Sequence, residues 1–397
     1  MTRPSASATS RTFSSFSILP VGWTFWLATI GLLWTTACGG AMATGTVSPR
    51  TSQGINKLNS ELAEAGNDNW RSHFIDVGQG LAVLQEFPCG AMLIDTGGEE
   101  DDKFQSDAAL IRYLQAFFER RRDLGNTLDV VLLTHPHVDH TRGAQTVLEH
   151  FAVRNLVDNG QDRGSGAEGQ RFMQKWAREH AGVHYRSIGL ADMVSATGLN
   201  DPILDPIKCP AIDPQITALW GRVDSDPGWP GIRFGKTPFQ NGNNHSVVTR
   251  ISFGRASGLF TGDLEEPAIR DMLKRYAGTP LLDVDLYQVG HHGAANGTIP
   301  ELCEAMTPEV AVFSMGPPHW QMTWSAWKYG HPRRDIVAML AEVMTRKRKP
   351  IQVQVGIKSE TFEPYTVEAA LYGTGWDGSV VVELMADGRS RVLTAGR

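Results

Sequence analysis

Cysteine is scarce in this chain, and its spacing excludes two classes of small domain. The 397 residues contain four cysteines, Cys38, Cys89, Cys209 and Cys303, and none belongs to a CxxC pair. This pattern excludes a zinc ribbon and a disulfide-dense scaffold. Basic charge is also in short supply, because Lys and Arg number 37 against 43 Asp and Glu, for a formal net charge of −6. The acidic balance argues against nucleic-acid binding through bulk charge, although a local basic patch is compatible with it.

The remaining composition is that of a folded protein with many turns. Hydrophobic residues make up 41% of the chain and charged residues 20%, which excludes a mainly disordered protein. The chain contains 41 Gly and 21 Pro, a turn content more typical of layered α/β or β-rich folds than of helix bundles. Its length allows one large core or two modest ones.

The first 43 residues are predicted to be a targeting segment. Residues 1–17 carry basic but no acidic side chains, residues 18–37 are uncharged and mostly apolar, and Ala41-Met42-Ala43 is an A-x-A site. Three alternatives follow: a signal peptide cleaved after Ala43, a lipoprotein signal with Cys38 as the acceptor, and an uncleaved membrane anchor. Each alternative predicts export, as a periplasmic, extracellular or membrane-anchored body, with membrane contact only through this segment.

The rest of the chain divides into a short linker and one folded body. Residues 44–69 are polar and are predicted to be a linker. Strand and helix patterns then alternate from residue 70 to 397. The apolar run Leu128–Leu133 is typical of a strand buried on both faces, and residues 105–122 have the pattern of an amphipathic helix. We therefore expect two sheets covered by helices in a single domain.

A dense group of metal-binding residue types follows the apolar run. It reads Thr134-His135-Pro136-His137-Val138-Asp139-His140. On extended chain, His135 and His137 point to the same side, while Asp139 and His140 lie where the chain turns towards a helix. This spacing favours two metal positions, one for the first pair and one for the second. Imidazole and carboxylate ligands suit zinc, and manganese and iron are alternatives.

One motif cannot supply all the ligands for two metal positions, and two further segments offer additional candidates. Asp263 follows a predicted strand in a Thr-Gly-Asp turn, where its carboxylate is placed to bridge two cations or to cap the next helix. His291 and His292 follow another predicted strand. Since adjacent side chains diverge on extended chain, we expect one of them to bind metal and the other to face a second group or the substrate, with His292 favoured.

Six short motifs recur along the body at predicted strand ends. They are Asp76-Val77-Gly78-Gln79-Gly80, Asp95-Thr96-Gly97, His135-x-His137-x-Asp139-His140, Asn243-Asn244-His245-Ser246, Thr261-Gly262-Asp263 and Gly290-His291-His292-Gly293. Together they resemble the metallo-β-lactamase superfamily. The first and last, with Tyr329-Gly330-His331-Pro332, resemble more narrowly the hydrolase domain attached to the ComEC DNA-uptake channel and its free-standing relatives.

The resemblance implies an α/β fold, a four-layer αββα sandwich over residues 70–397, with two divalent metal ions at the sheet edges. Zn²⁺ is expected, and Mn²⁺ is the alternative. His135 and His137 would bind one ion, Asp139, His140 and a histidine of the HHG motif the other, and Asp263 would bridge them. Asp95 is expected near the metals, usually orienting a ligand histidine.

The sequence departs from the superfamily pattern at His245. Many members place a ligand histidine just before the strand that leads to the bridging aspartate, and His245 lies nearer that strand than expected. It is either a shifted ligand or a residue that faces the substrate. Of the two metal positions, the one at His135 and His137 is therefore expected to be the less fully occupied.

The segment before the YGHP motif leaves alternatives open. Trp320, Trp324 and Trp327 have the spacing of one helical face in the core, or they form a stacking platform for a sugar, choline or base. His331 resembles a position near the active face, with a role in substrate contact or as an acid. Alternatively, His331 is a capping residue before Pro332 and the helix predicted over residues 333–345.

These residues predict a metal-dependent hydrolase in which a metal-activated hydroxide attacks a phosphodiester, with Asp139 and His331 as catalytic candidates. A nuclease acting on DNA and an esterase acting on a cell-envelope polymer are both expected possibilities. No nucleotide cofactor is expected. The alternative from another class is an exported, non-catalytic metal-binding protein with the same fold.

Overall fold

The computed structural model describes residues 49–101, 104–194, 196–224 and 240–397. The targeting segment predicted over residues 1–43 lies outside them. Within these ranges, no helix has both the length and the apolar character needed to cross a bilayer.

Two β-sheets and a separate hairpin account for the strands of the described residues. The strands of the first sheet are β1 (Trp70–Phe74), β2 (Val83–Phe87), β3 (Gly90–Ile94), β4 (Thr127–Leu132), β5 (Ala152–Asp158), β6 (His184–Ser187), β15 (Val380–Leu384) and β16 (Ser390–Thr394). The strands of the second sheet are β7 (Gln215–Trp220), β8 (Val248–Phe253), β9 (Ala256–Phe260), β10 (Leu286–Gln288), β11 (Val310–Phe313) and β14 (Leu371–Gly373). The hairpin pairs β12 (Lys347–Lys358) with β13 (Thr361–Ala369). The spatial orders are β16-β15-β1-β2-β3-β4-β5-β6 and β14-β11-β10-β9-β8-β7.

Helices cover the outer faces of both sheets. They are α1 (Pro49–Glu64), α2 (Ser106–Arg120), α3 (Val138–Thr141), α4 (Ala144–His150), α5 (Ala167–Glu179), α6 (Glu266–Arg275), α7 (Pro300–Ala305), α8 (Ala326–Tyr329), α9 (Arg334–Val343) and α10 (Thr374–Asp377). Helix α2 turns Leu110, Leu114 and Phe117 into the core on the first sheet. Helix α9 likewise buries Val337 and Leu340 in the core on the second sheet. Helices α2 and α9 therefore each present one apolar stripe to a sheet.

A third core lies between the sheets. Trp70 and Phe74 of the first sheet meet Phe260 of the second, with ring centroids 6.5 and 6.4 Å apart. Leu286 and Val312 belong to the same buried cluster. A strand with apolar cover on both sides needs apolar residues at successive positions, which explains the continuous run in β4. The predicted four-layer αββα sandwich is confirmed.

The segment predicted as a linker is largely helical. Helix α1 occupies residues 49–64, and its Ile55, Leu58 and Leu62 are buried. Leu58 and Leu62 pack with Val381 of β15, and Asn59 donates a hydrogen bond to the carbonyl of Ala116 in α2. The linker prediction was wrong here because the polar composition masked apolar residues at helical spacing.

The tryptophan segment does not form a helical face. In the range that holds Trp320, Trp324 and Trp327, helix begins only at Ala326, and the Trp324 side chain is 72% exposed. The helical-core interpretation was therefore wrong for Trp324, because the turns before α8 break the periodicity on which it rested.

A disulfide links the first sheet to a distant loop. Cys89, in the turn between β2 and β3, bonds to Cys209, which lies 120 residues further along the chain. The sequence spacing had suggested no partner for either residue.

The strand directions bring the chemical motifs to one edge. Strand β4 runs parallel to β3 and β5, and β10 runs parallel to β9 and β11. The motifs at 134–140, 261–263 and 290–293 directly follow β4, β9 and β10, so they leave the sheets at their carboxyl ends. The amide of Val247 donates to the carbonyl of Thr134 over 2.9 Å and joins the two sheets at this edge.

Candidate metal centre

Four side chains from three separated segments converge at this edge. Asp139, His140, Asp263 and His292 each offer a ligand atom, and these atoms all lie within 4.8 Å of one another. Nε2 of His140 lies 3.1 Å from Oδ2 of Asp263, and Nε2 of His292 lies 3.3 Å from the same oxygen. Nε2 of His292 is also 3.4 Å from Oδ2 of Asp139. The arrangement suits a cation with two imidazole and two carboxylate ligands.

The buried ligand atoms have no hydrogen-bond partners in the described part of the chain. These atoms are Nε2 of His135, His140 and His292 and Oδ1 of Asp263. Leaving a polar atom buried and unpaired costs about 1–3 kcal/mol, so four at one place call for an explanation. A cation bound in the four-residue group would give a partner to the atoms of His140, His292 and Asp263, and the residues present therefore fit a metal.

Asp95 holds His140 in place. Its Oδ2 lies 2.6 Å from Nδ1 of His140, and its two oxygens accept hydrogen bonds of 2.7 Å from the amide and the hydroxyl of Thr134. With Nδ1 engaged in this way, Nε2 of His140 is the nitrogen turned to the cluster. The structure thus places Asp95 behind a candidate ligand and outside the four-residue group.

His292 is held in the same manner from the second sheet. Its Nδ1 donates to the carbonyl of Ser314 over 2.7 Å. His291 and His292 both adopt left-handed backbone, with φ of 48° and 55°. Each such residue costs about 1–2 kcal/mol relative to right-handed backbone. The pair lies in a tight turn and not on extended chain as expected, and His292, the favoured ligand, is the one that belongs to the four-residue group.

His291 lies at the edge of the cluster and outside the four-residue group. Its Nε2 is 3.8 Å from Oδ2 of Asp263, and its Nδ1 is 3.0 Å from Oδ1 of Asn296. The ring is 21% exposed and lines a groove beside the cluster. The structure therefore places His291 between the metal candidates and solvent.

The rings of His135 and His137 lie beside the four-residue group, edge to face with each other. Their ring centroids are 4.6 Å apart, and the ring of His135 lies 4.3 Å from that of His140. His135 is buried and its Nδ1 lies 3.1 Å from Oγ1 of Thr134, whereas His137 is partly exposed. This pair forms the second part of the candidate centre.

His245 does not belong to the four-residue group. It is buried at the end of the turn Gly242–His245, and its Nδ1 accepts a hydrogen bond of 2.9 Å from the amide of Val223. Its carbonyl accepts from Nδ2 of Asn159. The ring nitrogen that contacts Val223 is therefore engaged with backbone.

The electrostatics of the cluster couple carboxylates to imidazoles. Burial alone would lower the pKa of His140, but the carboxylates of Asp263 and Asp95 outweigh it and raise that pKa well above its usual value. Burial would raise the pKa of Asp263, yet His140 and His292 hold it well below its usual range. Burial, assisted by the neighbouring imidazoles His140 and His137, lowers the pKa of His135 well below its ordinary value. Because neutral imidazole and ionised carboxylate are the forms that bind cations, a cation binding here would displace the proton from His140.

A groove of about 870 Å³ opens beside the cluster. Its lining includes His137, His291, Tyr329 and His331. His331 is buried, stacks on Tyr329 with ring centroids 5.6 Å apart, and lies 6.2 Å from the ring of His292. The side chain of Asp139, in the cluster, is 29% exposed. A substrate in this groove would meet His331 and the candidate metal ligands together.

Two acidic residues near the site were missed by sequence reasoning. Glu265 accepts hydrogen bonds from the side-chain amides of Asn241 and Asn243 and lies 3.6 Å from Nδ1 of His291. Glu99 is buried, and its Oε2 accepts the amide N–H of Gln79. In sequence, each of the two is marked only by its position next to a motif. Glu265 follows the Thr-Gly-Asp turn, and Glu99 follows the Asp-Thr-Gly motif.

Comparison with known proteins identifies the fold family and its relatives. A family model for the metallo-β-lactamase superfamily matches residues 75–316. ComE operon protein 3 of Bacillus subtilis (strain 168) is 25% identical over 309 residues, which make up 73% of this chain and 34% of that protein. Recombination protein 2 of Haemophilus influenzae is 27% identical over 263 residues, 66% of this chain and 25% of that protein. This chain therefore spans about a third or less of the length of these curated relatives. The crystal structure of the metallo-β-lactamase fold protein YhfI from Bacillus subtilis aligns with a TM-score of 0.36 and 12% identity, covering 70% of this chain and 94% of that one.

Proposed function

We propose that this chain, which belongs to the metallo-β-lactamase superfamily, is a metal-dependent hydrolase that cleaves phosphodiesters. The superfamily match and the ComEC-type relatives confirm the resemblance inferred from the sequence motifs. The observation that carries the proposal is the four-residue group with its unpaired buried ligand atoms. Such a group is expensive to bury unless it binds a cation.

Divalent cations, with Zn²⁺ the first choice and Mn²⁺ the alternative, would lower the pKa of water and offset the charge of an anionic ester here. His140 and His292 are oriented for this purpose by Asp95 and by the Ser314 carbonyl. Asp263 lies between both imidazoles, so its carboxylate would complete the same ligand set.

Two residues are proposed to act on the substrate side. Asp139 lies 3.4 Å from Nε2 of His292 and its side chain is 29% exposed, so it would hold a cation on the solvent side of the group. His331 lines the groove with Nδ1 3.4 Å from Nε2 of Gln79. It would contact the phosphodiester or pass a proton to the leaving oxygen.

A DNA strand is the substrate that we propose first. One relative is named Recombination protein 2, which points to nucleic acid. Two exposed aromatic side chains, Trp324 and Tyr329, lie next to the groove with ring centroids 6.5 Å apart, an arrangement on which bases can stack. A cell-envelope phosphodiester polymer is the second candidate, supported by the predicted export of the chain.

The disulfide supports export. Disulfides persist in oxidising compartments and are rare in the cytosol. The Cys89–Cys209 bond therefore agrees with the targeting segment predicted from the sequence, and we propose a periplasmic or extracellular location.

The test uses the purified chain, stripped with a chelator and reloaded with Zn²⁺ or Mn²⁺. We expect metal-dependent cleavage of bis-p-nitrophenyl phosphate, and faster turnover of single-stranded DNA than of a phosphorylcholine-bearing polymer. Asp139→Asn should lower turnover by about 100-fold or more, because it removes a candidate ligand. Asp68→Asn, at an exposed position outside the four-residue group, is the matched control.

Three outcomes separate the candidates. Preferential cleavage of the polymer would favour the envelope esterase. A protein that binds metal stoichiometrically but cleaves neither substrate would overturn the enzyme proposal and support an exported metal-binding protein. Equal loss of turnover in both variants would show that Asp139 has no special role.

A further inference from the structure

The hydrogen-bond partners of the ring nitrogens divide the histidines around the groove into two kinds. Nδ1 of His140 lies 2.6 Å from Oδ2 of Asp95, and Nδ1 of His292 donates to the carbonyl of Ser314 over 2.7 Å. An acceptor beside Nδ1 places the proton of a neutral imidazole on that nitrogen, so Nε2 carries the lone pair that a cation needs. Both rings are therefore suited to bind a metal through Nε2.

His331 meets the opposite kind of partner. Its Nδ1 lies 3.4 Å from Nε2 of Gln79, and a side-chain amide nitrogen can only donate. A proton on Nδ1 would set two donors against each other, so Nδ1 is the acceptor and the proton of the neutral ring is on Nε2. His331 lines the groove, whereas Gln79 is only 2% exposed. With Nδ1 turned to Gln79, Nε2 is the ring nitrogen left to face the groove.

The backbone fixes the orientation of the Gln79 amide. The N–H of Gly316 donates to Oε1 of Gln79 over 3.3 Å, and a backbone N–H cannot accept. The amide oxygen must therefore face Gly316, which leaves the amide nitrogen to face His331. The main chain of Gln79 is held as well, because its N–H donates to the buried carboxyl of Glu99. Gly316 packs so closely on this loop that an added Cβ would lie 2.9 Å from the backbone nitrogen of Gln79.

We propose that Gln79 is a positioning residue that holds His331 as the neutral Nε2–H tautomer, so that His331 donates a hydrogen bond to an anionic oxygen of the substrate phosphodiester. A ring in this state has one proton, and giving it up would leave an imidazolate. His331 therefore stabilises charge on the ester as a hydrogen-bond donor and does not pass a proton to the leaving oxygen. Tyr329 aligns the ring from one face, with an angle of 22° between the two ring planes. The role of His331 in turnover rests on the hydrolase proposed above, whereas its tautomer does not.

The tautomer is measured on the full chain, labelled with ¹⁵N-histidine and loaded with Zn²⁺, at neutral pH. A long-range ¹H–¹⁵N correlation spectrum shows which ring nitrogen is protonated, and the His331 signals are identified by their absence from His331→Phe. We expect a proton on Nε2 of His331 and none on Nδ1. A proton on Nδ1 in the unmodified chain, alone or together with one on Nε2, would overturn the proposal.

Turnover tests whether Gln79 acts through His331. His331→Phe keeps an aromatic ring beside Tyr329 but removes the donor, and it should slow the cleavage of aryl phosphodiesters by about 100-fold. The factor should be the same for all leaving phenols, because no proton passes to the leaving oxygen. Gln79→Met should slow cleavage by about tenfold through misplacement of the ring, and the double variant should be no slower than His331→Phe alone. Gln53→Met, at an exposed position in α1, is the matched control and should leave turnover unchanged.

Two kinetic results would also overturn the proposal. One is a loss in His331→Phe that grows as the leaving phenol becomes less acidic, which is the behaviour of a proton donor. The other is a double variant in which the two losses multiply, which would show that Gln79 acts independently of His331. If Gln79→Met fails to fold, the spectrum of the unmodified chain and the leaving-group series still decide the matter. A chain that cleaves nothing but has the Nε2–H ring would refute the proposed hydrolase and leave the assigned tautomer intact.

Discussion

Replacing the buried carboxyl of Glu99 by an amide is expected to change how stability depends on pH. Glu99 is 3% exposed, and its Oε1 has no hydrogen-bond partner in the described residues. Its Oε2 accepts the amide of Gln79, whose side chain in turn contacts His331. Burial raises the pKa of Glu99 from 4.5 to about 7, with help from Asp101.

The sign follows from proton counting. Because the folded pKa is raised, the folded protein binds more protons than the unfolded chain between about pH 4.5 and 7, so its free energy of unfolding falls as pH rises through that window. A shift from 4.5 to about 7 corresponds to a loss of about 3 kcal/mol, complete above the folded pKa. Below the unfolded pKa the carboxyl is neutral in both states and causes no loss.

Glu99→Gln removes the titrating proton while its side-chain carbonyl can still accept from Gln79. The advantage of this variant over the unmodified protein should therefore grow by about 3 kcal/mol from pH 4.5 to pH 8. Urea unfolding at a series of pH values measures it. Glu100→Gln is the matched control, since the Glu100 side chain is 45% exposed and should give a curve parallel to that of the unmodified protein. A pH-independent difference for Glu99→Gln would show that the Glu99 carboxyl is ionised and solvated in the fold.

Two further predictions address the disulfide and the aromatic pair. Cys89→Ser should lower the free energy of unfolding by up to about 5 kcal/mol, because the bond to Cys209 closes a loop with a sequence separation of 120. Urea unfolding measures this change. An unchanged midpoint of unfolding would contradict the prediction, and so would a further loss of stability when the variant is treated with a reductant. Trp324→Ala should weaken single-stranded DNA binding about tenfold by removing one stacking surface. Fluorescence anisotropy with a labelled oligonucleotide tests it, with Val194→Ala, at another exposed apolar side chain, as the control; equal affinities would show that Trp324 does not contact the strand.

The fold was predictable because the burial of each strand and helix is reflected in the apolar residues of its own short stretch of sequence. A strand covered on both faces requires consecutive apolar residues, and the Leu128–Leu133 run met that requirement before β4 was known. Helix α2 was predictable for the same reason, through its 3.6-residue apolar period. The meeting of the motifs at the sheet edges was implied by the family resemblance, and the parallel strands explain it.

Features that depend on distant partners escaped prediction. The disulfide joins residues 120 apart, and no local pattern pairs them. Helix α1 buries Leu58 and Leu62 within a polar segment, and their role becomes clear only once β15 is seen beneath them. Glu99 is an ordinary acidic residue in sequence, and burial against the Gln79 loop is what makes its titration unusual.

His245 shows why spacing alone could not decide the composition of the metal centre. Sequence places a histidine close to the expected position, but a ligand also needs its ring to leave the turn on the metal side. The contact of Val247 with the carbonyl of Thr134 anchors the chain two residues later, and the Val223 amide then holds the ring by Nδ1. Both contacts join segments that are far apart in sequence, so the side on which the ring emerges is a tertiary property. A shift of one residue along such a segment changes which group each ring nitrogen meets, so spacing in sequence does not by itself decide whether a ring is a metal ligand.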